Sequence, residues 1–201
     1  ALNCENNREE RSRYLLVENR KVENYVDMAL YYARMDAVYK DYMIAETNLQ
    51  EVAQQVLLQN KYYLIQSHVK AEVACPDTVY SDKKWIAFIL NQLIQNSVKY
   101  GRSEGTHIQI VTKKTKSGVL LRVKDDGIGI PKEEIPRIFE KGFTGTNGRN
   151  RERSTGMGLY LCRKLCDKLN IEIRAESAEG KGTEIILMFP VSDYLTGYRE
   201  T

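Results

Sequence analysis

The sequence predicts an α+β fold. It is a two-layer sandwich in which a mixed, mostly antiparallel sheet carries three helices on one face, preceded by an N-terminal helix. Three observations point there. Stretches that alternate apolar and polar residues come in adjacent pairs joined by short turns, as hairpins do. Three longer stretches repeat their apolar residues at helical spacing. A glycine-rich stretch, 125–155, is too long for a connector and has the length of a lid or binding loop.

Residues 5–13 are strongly charged and read as a solvated helix start or a frayed end. From Leu15 to about Met35 the chain is amphipathic. Leu15, Val22 and Ala29 recur every seven residues, with Tyr25 and Tyr32 three residues after Val22 and Ala29, which lays an apolar seam along one helix face. The seam is short, so it suits a packed helix pair better than a long coiled coil. The helix should end around Asp36–Tyr39. Asp41–Thr47 reads as a strand, and Asn48 can cap a helix over Leu49–Gln66. Val69–Ala74 alternates as a strand, Pro76 and Asp77 turn the chain, and Val79–Ser81 is a short strand. Ser81 or Asp82 can cap the next helix, Lys83 to Tyr100. Gly101–Gly105 is a loop. Thr106–Lys114 and Gly118–Lys124 form a hairpin. A short helix is expected near Pro131–Phe139, with Pro131 in its first turn. A helix over Gly156–Leu169 and a last hairpin, Ile171–Ser177 with Thr183–Phe189, complete the chain.

Composition narrows the class of function. Apolar residues make up 42% and charged residues 28%, which suits a folded chain. A net charge of +3 gives no reason to expect a nucleic-acid partner. No apolar run reaches the roughly 20 residues needed to cross a bilayer. No signal peptide opens the sequence, so a soluble, cytoplasmic piece is expected. The four cysteines, Cys4, Cys75, Cys162 and Cys166, form no CxxC pair, and neither histidine is close to them in sequence. They read as small buried side chains in a reducing compartment rather than as zinc ligands.

The chemistry concentrates at three places. The helix over 83–100 is apolar on most sides, yet Gln92, Asn96 and Lys99 form one stripe at i, i+4 and i+7. Such a stripe either faces water or holds a ligand that takes amide oxygens and an ammonium, such as a metal-bound phosphate. Asp125-Asp126-Gly127-Ile128-Gly129 ends a strand. This is either an ordinary tight turn or a carboxylate poised to accept from an exocyclic amine, beside glycines that let a ligand approach. Thr155-Gly156-Met157-Gly158-Leu159 opens a helix, whose N-terminus suits an anion. No P-loop and no dinucleotide fingerprint occurs.

In this order and at these intervals the three features are informative together. Over about residues 41–190 the chain resembles the catalytic ATP-binding domain of sensor histidine kinases, within the wider family of gyrase-type, heat-shock-chaperone and mismatch-repair ATPases. Asn96-Ser97-Val98-Lys99-Tyr100 resembles the family's Asn box, and Asp125–Gly129 its first glycine box. Ile138-Phe139-Glu140-Lys141 resembles the Phe box and Gly156–Leu159 the second glycine box. Gly180-Lys181-Gly182-Thr183 is similar to the glycine turn before the last strand. The stretches Phe139–Gly145 and Thr155–Tyr160 look most like kinases of Gram-positive bacteria with short membrane sensors, which answer to cell-envelope antibiotics beside ABC transporters.

The resemblance implies a Bergerat-type ATP fold with ATP and Mg²⁺ as cofactors. Asn96 would hold Mg²⁺ through its side-chain oxygen, since magnesium takes few protein ligands beside water and phosphate. Lys99 would contact phosphate, Tyr100 would lie near the nucleoside, and Asp125 would accept from the adenine amine. Gly127, Gly129 and Ile130 would line the adenine end. Thr155, Gly156, Gly158 and Leu159 would line the phosphates, and Thr183 would lie in the same pocket. Gln92 and Lys99 would be the groups at the reacting phosphate. Relatives often carry Asn in place of Gln92, and Gln reaches one methylene further. Lys141, Arg149 and Arg151, on a lid over about 131–155, would either neutralise phosphate charge or simply face water.

The same resemblance implies a membrane-anchored parent that dimerises through a helical hairpin. The parent would phosphorylate its own His and pass the phosphoryl group to a response-regulator Asp, with an ABC transporter as a further partner. Residues 1–38 would be the second hairpin helix and 39–201 the catalytic domain. The only histidines, His68 and His107, lack the sequence context of a phosphoacceptor. The chain is therefore expected to begin between the two hairpin helices, to bind ATP, and not to phosphorylate itself on histidine. Two other functions share such a pocket: an anti-sigma-type serine/threonine kinase and a non-catalytic nucleotide-sensing scaffold.

Overall fold

The computed structural model describes residues 42–146 and 154–191, and all of 11–32 except 13, 17, 20, 21, 24 and 27. The described residues of 11–32 are helical. After them come β1 (Ala45–Asn48), α1 (Leu49–Gln59), α2 (Lys61–Gln66), β2 (Val69–Ala74), β3 (Thr78–Ser81) and α3 (Lys83–Lys99). The chain continues through β4 (Thr106–Thr115), β5 (Gly118–Asp125), a 3-10 turn (Ile135–Arg137), α4 (Gly158–Lys168), β6 (Glu172–Ser177) and β7 (Thr183–Pro190). This is the expected α+β sandwich. Five strands form one sheet in the order β2-β4-β5-β7-β6, with β2 parallel to β4 and every other pairing antiparallel. β1 and β3 form a separate antiparallel pair.

The three longer helices cover the sheet, with α3 packed between α1 and α4. Ile86, Ile89, Leu90 and Ile94 of α3 are fully buried, against sheet residues such as Ile108, Ile110, Leu121 and Leu187. Burying one such side chain contributes about 1.5–3 kcal/mol, so α3 is held mainly by its apolar sides. Asp82 caps it, accepting from the amides of Lys84 and Trp85, and Asn48 caps α1 by accepting from Glu51. On the open face of the sheet Arg122 donates to both carboxylate oxygens of Glu184, at 2.8 and 2.7 Å, and ties β5 to β7.

Three expectations need correction. The single helix over Leu49–Gln66 is broken at Asn60. The Asn60 side chain donates to the Val56 carbonyl and to Asn91 Oδ1, each at 2.8 Å, and its amide N–H reaches both Val56 and Leu57. A side chain that competes for the i−4 carbonyl loosens the helical ladder there. The helix near Pro131–Phe139 is only the 3-10 turn Ile135–Arg137, with Pro136 inside it. A proline removes one amide donor and disfavours helical backbone just before it, which keeps the segment short. The strand expected over Asp41–Thr47 starts only at Ala45, because its partner β3 ends opposite it at Ser81. The residues of the heptad seam, Leu15, Val22 and Ala29, are exposed, while Met28 is buried and Tyr31 stacks on Trp85 and Phe88 at 4.6 and 4.4 Å. The expected helix end at Asp36–Tyr39 and Cys4 lie outside the described residues.

Candidate functional site

Asp125 closes β5, with Ile108 of β4 on one side and Thr183 of β7 on the other. That register sets its carboxylate at the end of the sheet beneath α3. It is 9% exposed and takes three hydrogen bonds. Ser97 Oγ donates to Oδ2 at 2.9 Å, and the amides of Gly127 and Thr183 donate to Oδ1 at 3.0 and 3.1 Å. A carboxylate offers about four acceptor positions. One therefore remains, on Oδ2. Burial raises the pKa of this group, opposed by the bonds from Gly127, Ser97 and Thr183.

Beside Asp125 lies a cavity of about 730 Å³, within the range of about 300–1,000 Å³ usual for small-molecule sites. Its α3 wall carries the predicted stripe, Gln92, Asn96 and Lys99, together with Tyr100. Gly129, Ile130 and Thr183 line it at the Asp125 end. Thr155, Gly156, Gly158 and Leu159 line it at the start of α4. Glu18, Val22, Tyr25 and Met28 of the N-terminal helix contribute to the lining too.

The α4 end suits anions. No side chain caps α4, so its first-turn amides are left for another partner. Gly158 approaches α3 so closely that a Cβ there would lie 2.9 Å from Gln92 Oε1. The Nε2 of Gln92 is buried and has no hydrogen-bond partner. Such a donor is costly unless something accepts from it, and a phosphate oxygen would. Gly156 lines the cavity and also closes a loop. It has φ +64°, and a Cβ would meet the Gly142 backbone at 2.3 Å. Its carbonyl accepts from Gly142 N at 3.0 Å, which ties the two ends of the 142–156 loop together.

At the Asp125 end the chain is knitted tightly. Tyr100 O accepts from Ile128 N at 3.0 Å, Ile128 O accepts from Gly180 N at 2.7 Å, and Ser177 Oγ accepts from Ile130 N at 2.9 Å. Gly127 is not on the cavity wall but holds Asp125. Lys99 lies 5.7 Å from the Tyr100 ring, and Tyr100 OH pairs with Ser154 Oγ at 3.2 Å.

Lys141 does not reach the cavity. It is exposed and sits 4.7 Å over the Tyr32 ring, hydrogen-bonded to its hydroxyl, which raises its pKa. Arg149 and Arg151 lie outside the described residues. His68 stands at the α2–β2 junction with φ +53°, and His107 pairs with Glu72 at 3.3 Å on β4. Neither lines the cavity. The residue overlooked in the sequence is Ser97. It lies one position beyond the Asn96 stripe, and only its place as a polar residue on an otherwise apolar helix marked it.

A family model described as histidine kinase-, DNA gyrase B-, and HSP90-like ATPase matches residues 81–193. Sensor histidine kinase YxdK of Bacillus subtilis is 34% identical over 174 residues, 86% of this chain and 54% of YxdK. Sensor protein kinase GraS of Staphylococcus aureus is 36% identical over 190 residues, 92% of this chain and 54% of GraS. The chain thus spans about half the length of these relatives. Among solved structures, the catalytic domain of histidine kinase ThkA matches with a TM-score of 0.63 at 26% identity, over 74% of this chain and 97% of that one. ThkA in complex with response regulator protein TrrA matches with a TM-score of 0.65 at 20% identity, over 90% and 52%.

Proposed function

Because the chain belongs to the histidine kinase-, DNA gyrase B-, and HSP90-like ATPase family, in its sensor histidine kinase branch, we propose that its cavity binds ATP with magnesium. The longer protein would use it to phosphorylate a histidine and then, through that histidine, an Asp of a response regulator. The observation that carries the nucleotide reading is the single open acceptor position on buried Asp125. An adenine amine donates there, whereas the guanine edge presents an oxygen at that place and is rejected.

Ile130, Gly129 and Thr183 border the base, with Gly127 fixing the carboxylate, and Tyr100 lies toward the nucleoside. The open amides of α4, with Thr155, Gly156, Gly158 and Leu159, receive the phosphates. Lys99 and the unpartnered Gln92 amide lie on the opposite wall and donate to the terminal phosphate. Among the described residues no group of three His, Cys, Asp or Glu could hold a metal. A cation here would therefore be held by Asn96, water and phosphate, the arrangement magnesium favours. Magnesium when bound neutralises charge on the transferring phosphoryl group, and the protein's part is mainly positioning. In the phosphoryl transfer a nitrogen of the acceptor imidazole bonds to the γ-phosphorus while the β–γ bridging bond breaks and ADP leaves.

The exposed Leu15 and Leu16 of the N-terminal helix suit a helical partner, which supports residues 1–38 as part of a dimerising hairpin in a membrane-anchored parent. ThkA was solved with a response regulator, and the same class of partner is proposed here. An ABC transporter remains part of the reading on the likeness of the Phe139–Gly145 and Thr155–Tyr160 stretches. The test is equilibrium binding of a fluorescent ATP analogue with and without Mg²⁺. Wild type should bind more tightly with the metal, and Asn96→Ala should lose that gain. Absence of binding by wild type would overturn the assignment.

A further inference from the structure

Arg102 lies just past α3 and is exposed, yet its side chain is fixed at both ends. Its backbone amide donates to the buried Thr106 Oγ1 at 2.8 Å. Its Nε donates to the Asp126 carbonyl at 2.7 Å, and its Nη2 donates to the Gly180 carbonyl. Those carbonyls belong to two different turns. One follows Asp125 at the end of β5, and the other joins β6 to β7 just before Thr183. Arg102 therefore stands where three segments meet: the end of α3, the turn after Asp125 and the turn before Thr183.

We propose that Arg102 is a positioning residue for base recognition, acting through Asp125. This rests on the reading of the cavity as an ATP site. Asp125 takes its three donors from these same surroundings: Ser97 on α3, Gly127 in one turn and Thr183 after the other. If the turns drift apart, the Thr183 bond loosens and the carboxylate rotates. Its last acceptor position then no longer points at the base, and hydrogen bonds weaken steeply with misalignment. The guanidinium suits the task because its Nε and Nη2 are held in one rigid plane and reach two carbonyls at once. A lysine offers a single flexible ammonium and cannot bridge them in the same way.

The experiment measures binding of ATP and of purine riboside triphosphate, which lacks the 6-amino group, to wild type, Arg102→Met and Arg102→Lys, all with Mg²⁺. Arg102 is exposed and outside the apolar core, so the variants should fold, which a thermal melt checks. Both variants should lose about three- to tenfold in ATP affinity, the weight of roughly one ordinary hydrogen bond. Affinity for the analogue should stay within about twofold, because the lost contact is the one to the amine. Equal losses for both nucleotides would reduce Arg102 to general structural support and overturn the proposal. So would unchanged affinity for ATP, or full recovery of the ratio by lysine. Wild type binding neither nucleotide would overturn the ATP reading itself, a result distinct from the other three.

Discussion

Replacing Asp125 by Asn changes one atom and should remove most of the selectivity of the site. The Asn oxygen will turn toward the two backbone donors, Gly127 N and Thr183 N, which can only donate. The amide nitrogen then stands where Oδ2 stood. Ser97 can rotate its hydroxyl and accept from that nitrogen, so the fold loses little. The adenine amine cannot adapt and meets a donor where it needs an acceptor. A hydrogen bond to a charged group is worth about 1.5–3 kcal/mol, so affinity for ATP should fall about 10- to 150-fold. Stability should hold up better. Burial places the folded pKa of Asp125 above the unfolded value of 3.8, so at neutral pH its charge opposes folding. That penalty is relieved as pH falls through the folded pKa, and Asn removes it at every pH. Calorimetric titration with ATP and with purine riboside triphosphate separates the effects. The analogue should bind wild type and variant alike. Unchanged ATP affinity, or equal losses for both nucleotides, would refute the assignment of Asp125 to the base.

The same carboxylate should impose a pH dependence. The gap in ATP affinity between wild type and Asp125→Asn should close as acid protonates Asp125, with a midpoint above 3.8, as titrations at stepped pH would show. Gly182→Ala should disturb folding and nucleotide binding together. Its φ of +86° disfavours any side chain, and the new Cβ would lie 2.0 Å from the Asp125 carbonyl. The backbone strain alone is about 1–3 kcal/mol, readable as a lower denaturation midpoint. Incubating this chain with γ-labelled ATP should yield no acid-labile phosphohistidine, because neither His68 nor His107 lines the cavity.

The fold was legible where local chemistry and tertiary packing agree. The caps at Asn48 and Asp82, the two hairpins and the buried α3 follow from residue type and spacing. The α1–α2 break was not, because it depends on Asn60 reaching Asn91 across the helix layer, 31 positions away. The polar stripe on α3 was legible because polar residues at helical spacing on an apolar helix call for a partner. The place of Asp125 beside the cavity was reachable from the motif. Its bonding to Ser97 and Thr183 needed the sheet register. Lys141 shows the opposite limit: its motif left it either by the phosphates or facing water, and its contact with Tyr32 depends on where the N-terminal helix lies.

Cys75, Cys162 and Cys166 are buried, and Cys162 and Cys166 sit on α4, the helix that opens onto the cavity. Burial raises the thiol pKa to about 11 for Cys75 and about 12 for Cys166, and that of Cys162 well above its ordinary value. A thiol reagent is thus excluded twice, by closed packing and by a scarcity of thiolate. These three sulfurs amount to a native chemical clock. Each should react only when the fold opens around it, so the labelling rate counts openings. Any ligand that binds only the closed form should slow that clock in proportion to its occupancy, which would report nucleotide affinity without a dye or a catalytic readout.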